Sequence, residues 1–447
     1  MKFWKYLLPC AMAACSFSAS MQAAPAVQPL DDFSTTKEER ETDLRALTDF
    51  VKSKGQVSLQ EKTGAMMLSG DVRTEWDYMH ATTNGKRQRG KGTSRRFMPG
   101  IYPEGQFHKS FSRNEFNIEA NLVFDYRADR TWAKIQLQFD NPAGIREQSV
   151  DVGDLDKHER RKFKNVMWGS GILSNLALRK AYMGYNVAEM GTSRFDVEIG
   201  RRRLIDVFDS KVEFHNIYDG ITLKYANSLE GIADFQAKLA GFVVDYTVNH
   251  YGWVGELDFL NIADEGFDFK YSFIHWNKNG VNRLDHHHPH GNRFNVSQFL
   301  LAYNLSPDLL HYKTQVYGAY LFNHAAKSSR FTQHKKADQA WYAGLRMGEV
   351  KKQNDWAFDA NYQWVQANVI PDSDLSGIGR DNPRGIPFYR MRSEGFGNYK
   401  GYEFNGLYAI TDNLTVNAIF QRVHQESRRI GGKHRSYMFE LAAIYAF

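Results

Sequence analysis

From Met66 onward, apolar and polar residues alternate along the chain in short segments. In one segment the even positions 116–126 are aromatic or aliphatic, while most odd positions 115–125 are Glu, Asn or Asp. The same period recurs in three later segments, at 133–140, 267–273 and 355–364. A period of two is typical of β-strands that have one apolar and one polar face.

The connections between such segments alternate in length. The predicted strands are 66–79, 113–127, 130–140, 174–187, 193–202, 219–227, 231–242, 250–261, 266–276, 293–305, 310–323, 339–349, 355–369, 399–410, 414–426 and 435–447. Every second connection is a tight turn, and the others include long polar loops at 80–112, 141–173, 277–292 and 370–398. Sorted loop lengths and an even strand count are typical of outer-membrane barrels. We therefore predict an all-β fold, a transmembrane antiparallel β-barrel of about 16 strands, with 18 possible.

The last predicted strand carries apolar residues at alternate positions. These residues are Tyr437, Phe439, Leu441, Ala443, Tyr445 and Phe447. The pattern resembles the C-terminal targeting strand of bacterial outer-membrane barrels, which ends in an aromatic residue. The resemblance implies a barrel-assembly signal and the barrel-assembly machinery as a partner. The signal residues would be Tyr437, Phe439, Leu441, Tyr445 and Phe447.

Residues 1–24 have the pattern of an export signal. Lys2 and Lys5 flank the start of an apolar stretch, and small residues favour cleavage near Ala23. A short buried helix and lipidation at Cys15 are the alternatives. Because Cys10 and Cys15 are the only cysteines, the exported chain has neither disulfides nor a thiolate metal site.

Residues 25–65 predict a short N-terminal periplasmic helical segment ahead of the barrel domain, 66–447. Thr35 or Thr36 can cap a helix that begins with acidic residues and ends near Gly55. Its narrow apolar stripe consists of Leu44, Leu47, Phe50 and Val51. A helix docked on a surface and a short intersubunit coiled coil both fit this stripe.

Composition narrows the class of protein. A mean hydropathy of −0.54 excludes a bundle of membrane helices, although 14% of the residues are aromatic. Strand alternation reconciles the two values, because it turns the aromatic side chains to lipid and leaves a polar inward face. Loss of Lys2 and Lys5 with the signal lowers the formal net charge from +6 to +4. Such a balanced chain is not typical of a nucleic-acid-binding protein.

Charged residues on the inward faces are candidates for the lining of a pore. The candidates are Arg73, Glu119, Glu198, Arg202, Asp206, Asp209, Lys211, Arg346 and Asp359. Fixed charges select ions by sign and by dehydration, so the mixture of signs predicts weak selectivity. Each of them can instead be a solvated wall residue without a role in selection. Further acidic residues are expected to face inward, namely Asp71, Glu75, Asp125, Asp196, Glu403 and Glu440.

Three consecutive arginines, 201–203, precede a charged loop. Guanidinium groups bind carboxylates and phosphates through paired hydrogen bonds. An inward fold of residues 203–218 would therefore form a constriction that attracts anionic solutes. The alternative is a cluster at the rim that faces water or lipopolysaccharide phosphates. If the constriction exists, the substitution Arg202→Ala lowers anion preference.

Two further loops have distinctive compositions. Residues 86–96 carry six positive charges and no acid, which is typical of a surface that meets anionic lipids or polyanions. The histidines at 286–288 and 290 can hold a transition metal. We expect instead a flexible polar loop with no bound metal, and we predict no cofactor.

Residues 177–226 contain three stretches that carry a family resemblance. The stretches are ALRKAYMGY at 177–185, FDVEIGRRRL at 195–204 and YDGI at 218–221. They resemble the strand–loop–strand units of the alginate-export and related porin group, whose barrels pass charged or polar solutes. Alginate exporters are expected to have 18 strands, whereas the pattern here gives 16. The resemblance therefore implies a porin-like barrel for small polar solutes and does not support alginate as the solute.

The sequence thus predicts a porin of a bacterial outer membrane that passes small hydrophilic solutes by passive diffusion. Expected partners are polar or ionic solutes, outer-membrane lipids and further copies of the chain in a homotrimer, but no nucleic acid. The sequence lacks Gly-x-Ser-x-Gly, His-Glu-x-x-His and a phosphate-binding glycine loop, so we expect no enzyme. A surface adhesin on the same barrel is the main alternative, and an outer-membrane enzyme is the second.

Overall fold

The computed structural model consists almost entirely of β-strands. It describes residues 57–61, 64–83, 110–142, 146–150, 164–168, 176–245, 250–276, 294–305, 312–328, 334–371, 374–379, 397–428 and 434–447. Short 3-10 turns occur at Leu204–Asp206 and Gly377–Gly379. In these ranges no helix has the length and apolar character needed to cross a membrane.

Nineteen strands lie in the described residues, and 16 of them form one antiparallel barrel. The barrel strands are β2 (Gly64–Thr83), β3 (Ser110–Ala128), β4 (Thr131–Pro142), β7 (Leu176–Met190), β8 (Ser193–Arg203), β9 (Ile217–Leu229), β10 (Ala233–Asp245), β11 (His250–Ile262), β12 (Phe267–Trp276), β13 (Asn295–Leu305), β14 (Thr314–Asn323), β15 (Gln339–Gly348), β16 (Trp356–Val365), β17 (Tyr399–Ala409), β18 (Leu414–Gln425) and β19 (His434–Ala446). The others are β1 (Val57–Glu61), β5 (Arg146–Val150) and β6 (Lys164–Trp168).

Each barrel strand pairs with the next one along the chain, and β19 pairs with β2 to close the sheet. Strand β4 pairs directly with β7, because β5 and β6 form a separate hairpin between them. Closure leaves the barrel without an unpaired edge, which is the condition for crossing lipid with strands. The prediction of a 16-stranded antiparallel barrel is confirmed.

The two faces of the sheet differ as the alternation predicted. On β3, Phe116, Ile118 and Tyr126 are 40–54% exposed on the outer face. Between them Glu119 and Asn121 are buried on the inner face. An apolar outer surface and a polar inner surface are typical of a β-barrel that spans a lipid bilayer.

Barrel closure depends on a seam between the last strand and the first barrel strand. The backbone of Phe447 exchanges two hydrogen bonds of 3.0 Å with Gly70. A side chain at Gly70 would collide with the carbonyl of Asn121 and the Phe447 ring, so the close contact requires glycine. Strand β1 pairs with the first residues of β2, which precede Gly70. Val57 of β1, for example, pairs with Leu68 of β2.

Three features differ from the sequence pattern or extend it. Strand β1 lies within the segment predicted to be helical, whereas the predicted helix itself lies outside the described residues. The hairpin of β5 and β6 lies within the long loop predicted at 141–173. Strands β2 and β3 extend several residues beyond their predicted ends, since they continue pairing with each other from Ala65 to Thr82.

Candidate pore constriction

The connection between β8 and β9, residues 204–216, folds into the barrel, and we call it the inner segment. Leu204, Phe208, Val212 and Phe214 in this segment are at most 1% exposed. Apolar side chains in a loop avoid water only by packing against another apolar surface. The inner segment therefore lies against the barrel wall instead of extending into solvent.

Apolar residues on the inner face of the barrel form the surface under the inner segment. The rings of Tyr218 and Trp276 each lie 5.6 Å from that of Phe242, and Tyr317 and Tyr342 belong to the same buried cluster. The expectation of a polar inward face is wrong for this part of the wall. The physical reason is that protein covers these residues, so they are not in contact with water.

Three ion pairs attach the inner segment to strands on different sides of it. Asp206 forms an ion pair with Lys180 of β7 at 3.0 Å, and Asp209 accepts a hydrogen bond from Lys270 of β12 at 2.9 Å. Lys211 reaches Asp359 of β16 at 3.2 Å. Because β7 and β16 lie far apart around the barrel, the inner segment spans a large part of its cross-section.

Backbone groups of the inner segment make further contacts with the wall. The amide of Asp209 donates to Glu256 of β11 at 3.0 Å. Its carbonyl accepts from the side chain of Gln298 on β13 at 2.6 Å. Polar groups of a loop inside a barrel need partners of this kind, because unpaired buried backbone groups are costly.

A second connection, residues 366–379 after β16, holds the other side of the inner segment. The Asp374 carboxylate accepts from the amide of Asn216 at 3.1 Å, from its side chain at 3.0 Å and from the amide of Phe214 at 3.3 Å. The Ser376 amide donates to the carbonyl of Val212 at 2.9 Å. The two connections therefore form one hydrogen-bonded unit within the barrel.

Two carboxyl groups are enclosed in this unit. Burial raises the pKa of Asp374 to about 7. Burial and the charge of Asp374 raise the pKa of Glu213, which is 1% exposed, well above its usual range. Both groups belong to connections outside the membrane-spanning strands. Protonation of Asp374 near neutral pH therefore affects how firmly the two connections hold each other.

The wall on both sides of the inner segment carries further ion pairs. Lys224 of β9 contacts Glu198 at 3.0 Å, and Lys238 of β10 contacts Glu256 at 3.0 Å and Asp258 at 2.7 Å. We call the inner faces of β7–β16 the ion-pair sector. Most of the described carboxylates in this sector are neutralised by lysine or arginine.

The three consecutive arginines, 201–203, lie in different environments. Arg202 is buried, pairs with Glu198 and stacks at 4.2 Å from the ring centre of Tyr182. Arg203 is buried as well. Arg201 lies on the outer face, where it binds both oxygens of Asp219 at 2.7 and 2.8 Å. Only part of the run is therefore available to a constriction.

Asp359 is the centre of a small cluster at the end of the inner segment. It accepts from Arg346 at 2.8 Å and from the hydroxyl of Tyr317 at 2.7 Å, in addition to Lys211. Arg346 also lies over the Tyr317 ring, 4.5 Å from its centre. The structure thus brings together three of the predicted pore residues, Lys211, Arg346 and Asp359.

The rest of the inner wall, on β17–β19 and β2–β4, holds its carboxylates differently, and we call it the amide sector. Glu403 accepts from Asn361 at 3.0 Å and from Gln421 at 2.8 Å. Glu119 accepts from Asn121 at 2.7 Å. Other buried carboxylates of this sector are Asp71, Glu75, Asp77 and Glu440.

Basic residues are few in the described part of the amide sector. Arg73 binds Asp71 at 2.7 Å and lies 3.9 Å from Glu119. Near the turn to β4, Asp125 contacts Arg127 at 3.1 Å and Lys134 at 3.6 Å. Among the described residues, acidic groups therefore outnumber basic ones on this side of the interior.

All nine predicted pore residues lie inside the barrel, but in two separate groups. Arg73 and Glu119 belong to the amide sector, whereas the other seven lie in the inner segment or on the wall beside it. Sequence reasoning missed the anchors Lys180, Lys270 and Asp374. The sequence did indicate that the inner segment is buried, because a loop exposed to water would not be expected to carry four large apolar residues. These residues are Leu204, Phe208, Val212 and Phe214.

No group of three or more histidine, cysteine or acidic residues suited to hold a metal occurs in the described ranges. The histidines at 286–290 and the basic run at 86–96 lie outside those ranges. The predictions about these two loops therefore stay predictions.

Neither a protein-family model nor a curated protein matches this sequence. Among solved structures, a triple-mutant porin of Rhodopseudomonas blastica is 11% identical, with a TM-score of 0.40 over 86% of this chain and 100% of that one. OprB of Pseudomonas putida is 11% identical, with a TM-score of 0.43 over 85% and 94%. OmpF of Salmonella typhi, in complex with daunomycin, is 11% identical, with a TM-score of 0.48 over 88% and 100%. The assignment to porin-like barrels rests on the closed 16-stranded sheet itself.

Proposed function

We propose that the chain is an outer-membrane porin that lets small hydrophilic solutes diffuse passively through a water-filled channel. The observation that supports this most directly is the closed 16-stranded barrel with an apolar outer face and charged inner face. Barrels of about this size enclose an aqueous channel. Passage in such a channel needs no covalent step and no energy source.

The inner segment is the proposed constriction. It is anchored to β7, β12 and β16, and it covers the ion-pair sector. Solutes would then pass between the inner segment and the amide sector. The residues proposed to act on them are Arg73, Glu119, Glu198, Arg202, Asp206, Asp209, Lys211, Arg346 and Asp359.

The proposal includes the cellular context of the chain. Export with cleavage near Ala23, recognition of the last strand by the barrel-assembly machinery and assembly into a homotrimer in the outer membrane follow from it. The alternating outer residues of β19 support the second of these, since Tyr437, Leu441 and Tyr445 are 40–52% exposed. We propose no catalytic activity and no cofactor.

Liposome swelling tests the proposal. The full chain is refolded into liposomes, which are then diluted into isosmotic sugars or amino acids of increasing size. Swelling with small solutes and none with large ones is the expected result. A heat-sensitive shift in gel mobility serves as the control for correct folding. Folded barrel without swelling would contradict the proposal, and binding to host cells or turnover of lipid in that case would favour an adhesin or an enzyme.

A further inference from the structure

A group of basic residues stands on the outer face of the barrel, on β17, β18 and β19. Lys400, His424 and Arg435 are register partners in one row across the three strands. Arg422 lies two residues from His424 along β18, opposite Tyr402 and Tyr437. Because neighbouring strands are about 4.8 Å apart, Lys400 and Arg435 are separated by roughly 10 Å.

The position of this group relative to the apolar outer surface is defined by β19. Its outer residues run from Tyr445 through Leu441 and Tyr437 to Arg435. Ten residues at about 3.3 Å each, on a strand tilted by about 40°, rise roughly 25 Å, which is the height of the apolar band. Arg435 therefore lies at the edge of the lipid, at the end of the barrel that carries the long connections.

These bases differ from the bases inside the barrel in their partners. Lys180, Lys224 and Lys270 each have a carboxylate oxygen within 3.0 Å. Lys400, Arg422 and Arg435 form no ion pair with any described residue. The guanidinium of Arg422 instead contacts the Tyr402 hydroxyl at 3.4 Å.

One carboxylate lies close to the group. Glu426, just beyond β18, interacts electrostatically with Lys400 and also with Lys335. It is close to Lys400, whereas Arg422 and Arg435, which are exposed, have no ion pair with a described residue. A positive surface therefore remains at the boundary between lipid tails and head groups.

We propose that Lys400, Arg422, His424 and Arg435 bind the phosphate of an outer-leaflet lipid whose head group is phosphorylated, as in lipid A. Guanidinium and ammonium groups bind phosphate strongly, and the tyrosines beneath them face the upper acyl chains. This inference rests on the proposed placement of the barrel in an outer membrane. It does not depend on whether the barrel conducts solutes.

Binding of lipid A to the folded full-length chain in detergent micelles tests the site, with native mass spectrometry as the readout. In the triple variant K400Q/R422Q/R435Q we expect affinity to fall by about a hundredfold, because each base near an anionic surface contributes about fivefold. The matched control is K313Q/K351Q/K352Q, which removes the same charge from exposed turns at the opposite end. The control should bind as the unmodified chain does.

Three results would overturn the proposal. The first is that the triple variant K400Q/R422Q/R435Q retains the affinity of the unmodified chain for lipid A. The second is that this variant and the control variant lose affinity equally. Alternatively, millimolar inorganic phosphate would displace the lipid completely, which would indicate a site for the free anion. The single variants R422Q and R435Q should each lower the affinity about fivefold, and they remain informative if the triple variant fails to fold.

Failure of this site and failure of the porin proposal can be told apart. In bilayers without phosphorylated lipid, the triple variant should conduct as the unmodified chain does, because its substitutions lie outside the lumen. Loss of lipid A binding with unchanged conductance supports the site. Normal lipid binding without any conductance contradicts only the porin function.

Discussion

The ion-pair sector and the amide sector of the barrel interior differ in the described partners of their carboxylates. In the ion-pair sector, lysines contact carboxylates at 2.7–3.2 Å, as in Lys238 with Asp258 and Lys211 with Asp359. In the amide sector, Glu403 accepts from Asn361 and Gln421, which are neutral. Both arrangements give buried carboxylates a polar or charged partner.

The difference lies in the charge that remains. An ammonium group cancels the field of a carboxylate, whereas an amide satisfies its hydrogen bonds and leaves its negative charge. The inner segment can therefore cover the ion-pair sector without leaving these carboxylates as unpaired buried charges. Among the described residues, the amide sector has more acidic than basic groups on its inner face, and such a surplus of acidic groups favours cations in a pore.

The largest expected effect comes from breaking the attachment of the inner segment. In Lys211→Glu a second carboxylate would face Asp359, and loss of one partner from a buried ion pair costs about 3–5 kcal/mol. We expect the segment to detach and single-channel conductance to rise severalfold in planar bilayers. Lys313→Glu, which makes the same change in an exposed turn, should leave conductance unchanged. Equal conductance in both variants would show that the segment does not limit the pore.

Next in size is the effect of charge in the amide sector. The double variant E403Q/E440Q removes two negative charges, and we expect the reversal potential in a KCl gradient to shift clearly toward anions. The double variant E256Q/D258N removes the same charge from the ion-pair sector, where the inner segment covers the wall. Its shift should be smaller. If both shifts are the same, the two sectors do not differ toward ions.

A single inward arginine should have a smaller effect. Arg202→Ala removes one positive charge beside Glu198, so we expect a modest shift of the reversal potential toward cations. Arg201→Ala is its natural control, because Arg201 pairs with Asp219 on the outer face. A shift of equal size in the control would mean that the potential responds to net charge in general and not to charge along the pore.

The smallest expected effect is a dependence of conductance on pH. The raised pKa of Asp374 means that docking of the two connections is strongest when this group is protonated, below about pH 4, and weakens as pH rises through about 7. Conductance should therefore be higher at about pH 8 than at about pH 5. In Asp374→Asn this change should largely disappear. A variant that retains the full change would assign it to other groups.

Alternation along the strands was sufficient to predict the barrel, its strand number and the faces of its residues. The alternating residues of a strand indicate which of its faces points outward, since Phe116 and Glu119 must lie on opposite sides of the sheet. The inward position of Arg73, Glu198 and Asp359 followed from the same rule. This part of the prediction needed only local information.

Pairings inside the barrel could not be predicted, because they depend on where distant parts of the chain meet. Lys211 contacts Asp359, and Asp374 binds the backbone of Phe214, although long stretches of sequence separate them. Apolar inward residues such as Phe242 and Trp276 broke the alternating pattern without revealing what covers them. Strand β1 carries too short a pattern to be distinguished from its neighbours.

The seam between β2 and β19 has a consequence for how the barrel forms. Register pairing joins Asp71 to Ala446 and Thr83 to His434, so the two strands that meet are the first and the last barrel strands along the chain. Before they meet, β2 and β19 are exposed edges with unpaired backbone groups, and such edges invite pairing with other chains. Contacts of such high sequence separation also form slowly. Folding of this chain is therefore most vulnerable to aggregation immediately before its last step.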